Sequence, residues 1–331
     1  MVSVIIITYK RTNTITRAID SVLKQTYPDF ELIVVDDNNP DTVYRKDLEL
    51  IMSRYSDEPK VKYIQHEYNK NGSAARNTGI SAAKGDYIAF LDDDDYYLPN
   101  RLEDLVKALD NNTDYQGVYS SVIVEKNRKI VGLVEAKVSG NLKDALLLDS
   151  FAFGTGSNLF FRTNAVKELK GFDTTFKRHQ DIEFMIRFFN TNQLLAVYAP
   201  SVVKVQDDRG NEPDTEQYIE IKKHYIKAFQ NDIQALDSDK KALFYGIKYR
   251  QILETSIRKK EYRRYFNLRK RCKKQFPLSF KNNIRFLSLF INNYIKLDQI
   301  KYSLIRRKVK SSFKNEVNAM REIHNSNWER G

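Results

Sequence analysis

Asp92, Asp93, Asp94 and Asp95 follow directly on Tyr87-Ile88-Ala89-Phe90-Leu91, an apolar run that reads as a buried strand. Carboxylates delivered to a strand's C-terminal end stand where open α/β sheets bind ligands. Four adjacent negative charges repel one another, and a hard divalent cation with oxygen ligands is the simplest partner that offsets them. A solvated turn or helix start is the competing reading, because Pro99 followed by Leu102, Leu105, Val106 and Leu109 marks a helix just downstream. A helix-loop-helix calcium loop is excluded, since Tyr97 stands where that loop needs glycine.

Two further strand ends carry polar groups. Residues 2–7 lead into Thr8-Tyr9, and residues 30–35 lead into Asp36-Asp37. An edge that combines an aromatic, a carboxylate able to accept base or ribose hydrogens, and a metal-holding carboxylate pair has the parts needed for a nucleoside diphosphate. Neither a P-loop nor a G-x-G-x-x-G is present, so the diphosphate charge falls to metal and to Arg or Lys. Dinucleotide redox chemistry is disfavoured on the same ground.

The elements that must position these groups alternate. After the strand at 2–7 comes a helix with Ile15, Ala18, Ile19 and Val22 on one face, capped by Thr12 or Asn13. A strand at 30–35, a helix around 41–55, a strand at 61–65, a helix at 73–84 closed by Gly85, and the strand before the Asp run complete the series. This β-α-β-α-β-α-β order predicts a parallel sheet flanked by helices, with the three polar strand ends gathered on one edge.

Composition bounds the rest. The chain has 331 residues, 41% apolar and 12% aromatic, enough for a substantial core. One cysteine, Cys272, excludes an internal disulfide and a multi-cysteine zinc site. The N-terminus lacks a signal-peptide pattern, and no stretch reaches about eighteen uninterrupted apolar residues, which suits a cytoplasmic protein. The net charge of +12 is uneven: residues 216–331 carry 28 Lys/Arg against 11 Asp/Glu, leaving a net −5 before them. Two modules with different partners are expected, a domain at 1–215 and a basic helical domain at 216–331.

Val2-Ser3-Val4-Ile5-Ile6-Ile7-Thr8-Tyr9, Ser21 to Thr26, Phe30 to Asp37, Ala75-Arg76-Asn77-Thr78-Gly79 and Gly85 to Asp95 stand in this order along the chain. Together they resemble family 2 glycosyltransferases of the GT-A fold, over about the first 210 residues. The resemblance implies a Rossmann-like, mostly parallel sheet with a nucleotide-binding half at 1–115 and an acceptor-side half at 116–215. It implies that Thr8 and Tyr9 lie beside the base, that Arg11 belongs to the nucleotide-binding set, that Asp37 accepts the uracil imide N–H, and that Arg76 is a further nucleotide contact. Asp92 and Asp94 become the ends of a D-x-D motif, with Asp94 the direct ligand of Mg²⁺ or Mn²⁺, joined by Asp92. Asp92 or Asp93 is turned toward the ribose, and Asp95 serves the turn into the helix after Pro99. Asp36 is read either as part of this site or as the end of a strand, and Arg76 has an alternative pairing with Asp37.

Sugar transfer also needs a base for the acceptor hydroxyl. Gly171-Phe172-Asp173 and the segment from Arg178 to Arg187 resemble the family's acceptor-side block, in which an acidic pair opens a helix. Here the first acid of the pair is Gln180, so Asp181 inherits the role of general base, and the helix N-terminus is expected to lower its pKa. Capping is the alternative role for Asp181. His179 is a competing base, and Glu183 should face another side of the helix. A single base and an attacking hydroxyl imply inversion at the sugar carbon.

Residues 117–125 and 129–134 read as a hairpin around Lys126-Asn127-Arg128, and Gly154-Thr155-Gly156-Ser157-Asn158 precedes a strand at 159–162. A smaller acceptor-side sheet is expected from them, with Gly154 and Gly156 admitting a sugar close to the backbone. Gln206 stands where many relatives place a metal-side histidine; Asp207 or Asp208 could serve instead, and residues 209–213 read as a lid over the donor.

Beyond Glu216, Tyr218, Ile221, Tyr225, Ala228 and Phe229 recur at helical spacing. Dense basic runs follow at 258–274, and residues 280–305 mix basic and apolar side chains. A basic amphipathic helix suits an anionic membrane surface, placing the chain peripherally on the inner face of the cell membrane. A solvated bundle face or a homo-oligomer surface is the alternative. The expectation is an inverting, metal-dependent hexosyltransferase. It uses a UDP-sugar and acts on a cell-envelope glycan, lipid-linked or glycoprotein acceptor. The other class is a non-catalytic nucleotide-sugar or polyanion binder; no aromatic-interleaved motif supports nucleic acid.

Overall fold

A computed structural model describes residues 1–206 and 213–272, together with Phe286, Leu287 and Leu289. Asp207, Asp208, residues 209–212 of the expected lid, and most of the basic segment beyond residue 272 lie outside the described residues. Two compact units are present, one of Met1–Lys143 with Ala152–Asp207, the other built on Asp144–Phe151 and the helices after Asp208.

The first unit alternates as its apolar periodicity requires. β1 (Val2–Thr8), α1 (Ile15–Leu23), β2 (Phe30–Asp36), α2 (Val43–Met52), β3 (Val61–Gln65), α3 (Gly72–Ala82) and β4 (Tyr87–Asp92) follow one another. β5 (Tyr96–Tyr97), α4 (Arg101–Asp110), β6 (Gly117–Lys126), β7 (Lys129–Val134), β8 (Phe160–Arg162), α6 (Thr163–Glu168), α7 (Gln180–Phe188) and β9 (Leu194–Gln206) come next, while α5 (Lys143–Leu147), between β7 and β8 in the chain, belongs from Asp144 onward to the second unit. The strands form one nine-stranded sheet in the order β3-β2-β1-β4-β8-β6-β9-β5, with β7 on β6. β1 is parallel to β2 and β4, with Thr8 opposite Asp36 and Ile7 opposite Asp92. The three polar strand ends are therefore level, as the sequence predicts.

The separate acceptor-side sheet does not form. β8 runs antiparallel between β4 and β6, so Phe160 is registered with Ala89 on one side and Val118 on the other. Three residues with two buried aromatic rings suffice to fuse the halves. The hairpin is present, with Asn127 and Arg128 at φ 50° and 59°, the two left-handed residues of a tight two-residue turn. The start of α1 differs from expectation: Thr14 is its boundary residue, and no side chain caps it.

Each sheet face has its own clamp. Val4, Ile6, Val34 and Leu91 pack with Ile15, Ile19 and Val22 of α1 and Leu102 and Leu105 of α4, all buried. Each such side chain contributes roughly 1.5–3 kcal/mol by leaving water. On the opposite face α3 approaches so closely that a methyl at Gly79 would stand 2.4 Å from Ile5 Cγ2. Phe172 meets Phe90 edge-on at 5.2 Å and stacks on Phe184 at 4.5 Å, while Phe161 contacts Phe184 and Phe188. This aromatic ladder seats α7 and fixes where its N-terminus points.

The second unit is helical, with α8 (Thr215–Ala228), α9 (Gln230–Ala235), α10 (Ser238–Arg258) and α11 (Tyr262–Cys272). Asp214 and Gln217 form a reciprocal capping box at the start of α8. The buried Lys248 ammonium lies against Tyr225 and Phe244 and pairs with Asp149 at 3.1 Å. Among the described residues no helix is long and apolar enough to cross a membrane.

Candidate functional site

A cleft of about 650 Å³ opens at the level strand ends of the first unit. Its walls include Thr8, Tyr9 and Arg11 after β1, Asp37 after β2, Gly72 at the start of α3, Asp92–Asp94 after β4, and Lys177 and Gln180 before and at the start of α7. All the predicted nucleotide and metal residues except Arg76 line it. Tyr9 is exposed at its rim, and its ring lies 5.0 Å from the Lys10 ammonium.

The four aspartates are chemically unequal because distant elements treat each one differently. Asp93 is buried; its carboxylate accepts from Thr8 Oγ1 at 2.6 Å and Arg11 at 3.0 Å. Burial pushes its pKa up to about 7, against the pull of Arg11 and Thr8. Both of its oxygens are thus engaged by Thr8 and Arg11, which line the same cleft. Asp94 pairs with Arg11, and its backbone carbonyl accepts from Arg17 at 2.6 Å. Asp92 is more exposed and accepts from Arg76 Nη2 at 2.8 Å.

Asp95 does not serve the turn into the helix after Pro99 with its side chain. It is buried, accepts from Thr155 at 3.0 Å and Ser157 at 2.6 Å through Oδ2, and from the Val205 N–H through Oδ1. Burial, reinforced by the Asp92 and Asp94 charges, raises its pKa to about 7. The Ser157 hydroxyl also accepts from the Asp92 N–H at 3.0 Å. Asp95 therefore fastens the glycine-containing segment at 154–158 and β9 to the end of β4.

Asp36 ends its strand structurally: it is fully buried and takes Arg45 at 2.7 Å and the Tyr63 hydroxyl at 2.6 Å. Asp37 lines the cleft, and both its oxygens are occupied by protein donors. Oδ1 meets His66 Nδ1 and the Lys70 N–H, each at 2.8 Å; Oδ2 accepts from Asn69 Nδ2 at 2.7 Å and the Asn71 N–H at 3.0 Å. In this arrangement its carboxylate shapes the segment at 69–71. His66 continues the chain to Thr78 on α3 at 2.8 Å. Nothing in the local sequence around His66 or Asn69 marks them, because their role follows only from packing against Asp37.

The acceptor-side groups meet the aspartates through Arg76. Its Nη1 donates to Gln180 Oε1 at 2.7 Å while Nη2 holds Asp92, so the alternative pairing with Asp37 is not formed. Gly72 packs closely beside this bridge: a methyl there would lie 3.0 Å from Gln180 Oε1. Asp181 occupies the first turn of α7, after His179 in a left-handed conformation at φ 59°. Its pKa is raised, not lowered as the helix N-terminus alone predicts: burial outweighs the helix end and the nearby Arg76 charge. Glu183 does face elsewhere, buried against Arg187.

Gly156 borders both Asp181 and Asp92; a methyl on it would stand 3.8 Å from Asp181 Cβ and 4.0 Å from Asp92 Oδ2. Gly154, at φ 88°, is confined by Val122 instead and does not border the carboxylates. Among the described residues no three His, Cys, Asp or Glu side chains are grouped to hold a metal ion. Asp92 and Asp94 nonetheless supply hard oxygen donors on the cleft wall, the set that suits Mg²⁺ or Mn²⁺ when substrate phosphates complete the coordination. Gln206 ends β9 and supplies no carboxylate to this set.

Residues 3–170 match Glycosyl transferase family 2, and residues 87–282 match Glycosyl transferase family group 2. EpsE of Bacillus subtilis is 32% identical over 212 residues, covering 62% of this chain and 73% of that protein. The UDP-Glc:alpha-D-GlcNAc-diphosphoundecaprenol beta-1,3-glucosyltransferase WfgD of Escherichia coli is 40% identical over 133 residues, 40% of this chain; the match spans about half (49%) of its length. The fold is similar to that of S. aureus TarS residues 1–349, with TM-score 0.55, 18% identity, and coverage of 97% of this chain and 91% of that one. It is likewise similar to the mannosyltransferase PcManGT of Pyrobaculum calidifontis, with TM-score 0.56, 16% identity and coverage of 95% and 87%. An aspartate-lined cleft at the ends of parallel strands, on a GT-A fold, agrees with these sequence matches: the chain belongs to glycosyl transferase family 2.

Proposed function

We propose that the chain transfers a hexose or N-acetylhexosamine from a UDP-sugar to a hydroxyl of a cell-envelope glycan, lipid-linked or protein-glycan acceptor, with inversion. The observation that carries this reading is that Asp92 and Asp181 both border Gly156, where a methyl would stand 3.8 Å from Asp181 Cβ and 4.0 Å from Asp92 Oδ2. One carboxylate belongs to the nucleotide edge and the other to the acceptor-side helix, so donor and acceptor chemistry share one small space.

In this reading the acceptor oxygen attacks the anomeric carbon, Asp181 takes its proton, and the bond from that carbon to the β-phosphate oxygen breaks. The electron pair leaves with the nucleoside diphosphate. Burial holds the Asp181 pKa above the ordinary carboxylate range, which brings a general base closer to operating pH. Asp94 and Asp92 would hold Mg²⁺ or Mn²⁺, which when bound supplies Lewis-acid stabilisation of the leaving diphosphate. Thr8, Tyr9, Arg11 and Asp37 form the end of the cleft that suits the nucleoside. WfgD is named for UDP-Glc and a diphosphoundecaprenol-linked acceptor, TarS is known with UDP-GlcNAc and PcManGT with GDP-Man and Mn²⁺. Those names support a nucleotide-sugar donor and a metal, and a lipid-linked acceptor is the most economical extension.

The basic second unit is proposed to bring the chain to an anionic membrane surface on the cytoplasmic side, where a lipid-linked acceptor is presented. The test is UDP-sugar turnover, as transfer or slow hydrolysis, with Mn²⁺ or Mg²⁺. Wild-type protein should release UDP, and Asp94→Ala and Asp181→Asn should not. Equal release by all three proteins would overturn the assignment.

A further inference from the structure

We propose that Lys177 is the cation that receives the β-phosphate of the donor and of the leaving nucleoside diphosphate. The inference rests on the nucleotide-sugar reading and assigns a residue that no motif in the chain marks.

The charges of the cleft are already largely spent. Arg11 is engaged by Asp93 and Asp94, and Arg76, just behind the wall, by Asp92 and Gln180. Lys177 lines the same cleft, is exposed, and has no ion-pair or hydrogen-bond partner among the described residues. A diphosphate brings charge that a single divalent cation held by two aspartates does not neutralise. An ammonium with three unused donors on the wall is the available complement.

Lys177 is also held at a defined height. Phe176 before it is buried, and its carbonyl accepts from Ser73 Oγ at 3.4 Å and Gln180 Nε2 at 3.0 Å. The Thr174 carbonyl accepts from Asn71 Nδ2 at 3.2 Å. The segment is thus tied to the start of α3, and the flexible part is the lysine side chain alone. Gln180, held by the Phe176 carbonyl, accepts from Arg76, and Arg76 holds Asp92, so the segment that carries Lys177 is linked to the carboxylate proposed to face the diphosphate. Bond cleavage adds negative charge to the diphosphate, and a cation placed there binds product and transition state better than intact donor.

Calorimetric titration of wild type, Lys177→Ala and Lys177→Arg with UDP and with UMP, in Mg²⁺, tests this. Lys177→Ala should weaken UDP binding roughly tenfold, as expected for loss of one charge-assisted contact, and leave UMP within about twofold. Lys177→Arg should restore most of the loss, and in turnover kcat should fall more than the donor KM rises. Unchanged UDP affinity in Lys177→Ala, or equal loss for UDP and UMP, overturns the assignment while the nucleotide-sugar reading stands. Failure of the wild-type protein to bind UDP removes both. The side chain is exposed, so an unchanged melting temperature separates these effects from misfolding.

Discussion

Asp181 and Asp92 both border Gly156: a methyl on that glycine would stand 3.8 Å from Asp181 Cβ and 4.0 Å from Asp92 Oδ2. Gly156 has a negative φ that any residue can adopt, so a side chain there projects into the reaction space without straining the backbone. Gly156→Ala is expected to fold normally and retain measurable transfer. Gly156→Leu should lose at least ~10²-fold in kcat/KM at an unchanged melting temperature, because it displaces the reacting atoms by more than an ångström. Wild-type kinetics in the leucine variant would mean that the sugar does not pass beside Gly156.

Asp94 and Asp93 are adjacent, yet only Asp94 is expected to matter for metal. Asp94→Asn keeps size and removes charge. It should raise the Mn²⁺ concentration needed for half-maximal turnover by roughly tenfold or more, and EDTA should abolish wild-type turnover reversibly. Asp93→Asn leaves the cleft-facing donors in place and removes a carboxylate whose pKa burial already raises to about 7. Its effect should fall on stability, through the Thr8 and Arg11 contacts. A metal titration shifted more by Asp93→Asn than by Asp94→Asn would reverse the two assignments.

The contrast shows what sequence could convey. The strand-helix alternation was legible because each buried strand is a continuous apolar run and each helix carries a periodic stripe. That pattern also placed Thr8, Asp37 and Asp92 on one edge. The distinct fates of Asp92, Asp93, Asp94 and Asp95 were not legible, because they depend on Thr8, Arg11, Arg76, Thr155 and Ser157, which lie 16 to 85 positions away. The single sheet was missed for a related reason. β8 is three residues long, too short for periodicity to register, and it nonetheless joins β4 to β6.

Arg101 is another residue whose role only tertiary structure reveals. It is fully buried and has no carboxylate partner in hydrogen-bonding reach among the described residues. It donates to the Ser201 hydroxyl at 2.7 Å, the Asn158 carbonyl at 2.8 Å and the Ser157 carbonyl at 3.2 Å. Neutral acceptors thus satisfy a buried cation directly beneath the 154–158 segment, and burial lowers its pKa. Arg101→Ala should orphan these acceptors and cost at least ~3 kcal/mol, visible as a lower urea midpoint. Donor turnover should fall with it, because Ser157 also holds Asp95 and the Asp92 backbone. An unfolding free energy within about 0.5 kcal/mol of wild type would show that water replaces the guanidinium.

As the proposed base, Asp181 is expected to set the pH dependence. Burial raises its pKa, with Arg76 as the main opposing influence, and catalysis requires the ionised form. Turnover should therefore fall as pH drops through a value above the ordinary carboxylate pKa of 3.8, giving a single acid limb in kcat/KM. Arg76→Gln removes the opposing charge, so that limb should move to higher pH as well as lower the maximum rate. Asp181→Asn should lose roughly 10²–10⁴-fold in kcat and abolish the limb. Stability carries the opposite sign. A carboxyl with a folded pKa above its unfolded value destabilises the fold when ionised, so this cost is present at neutral pH and disappears as pH falls below the unfolded value. Asp181→Asn should accordingly melt at or above wild type at pH 7.5, and the difference should shrink toward pH 4. A variant that is inactive and also less stable at pH 7.5 would point to Asp181 as the structural cap of α7, and the base would have to be sought elsewhere in the cleft.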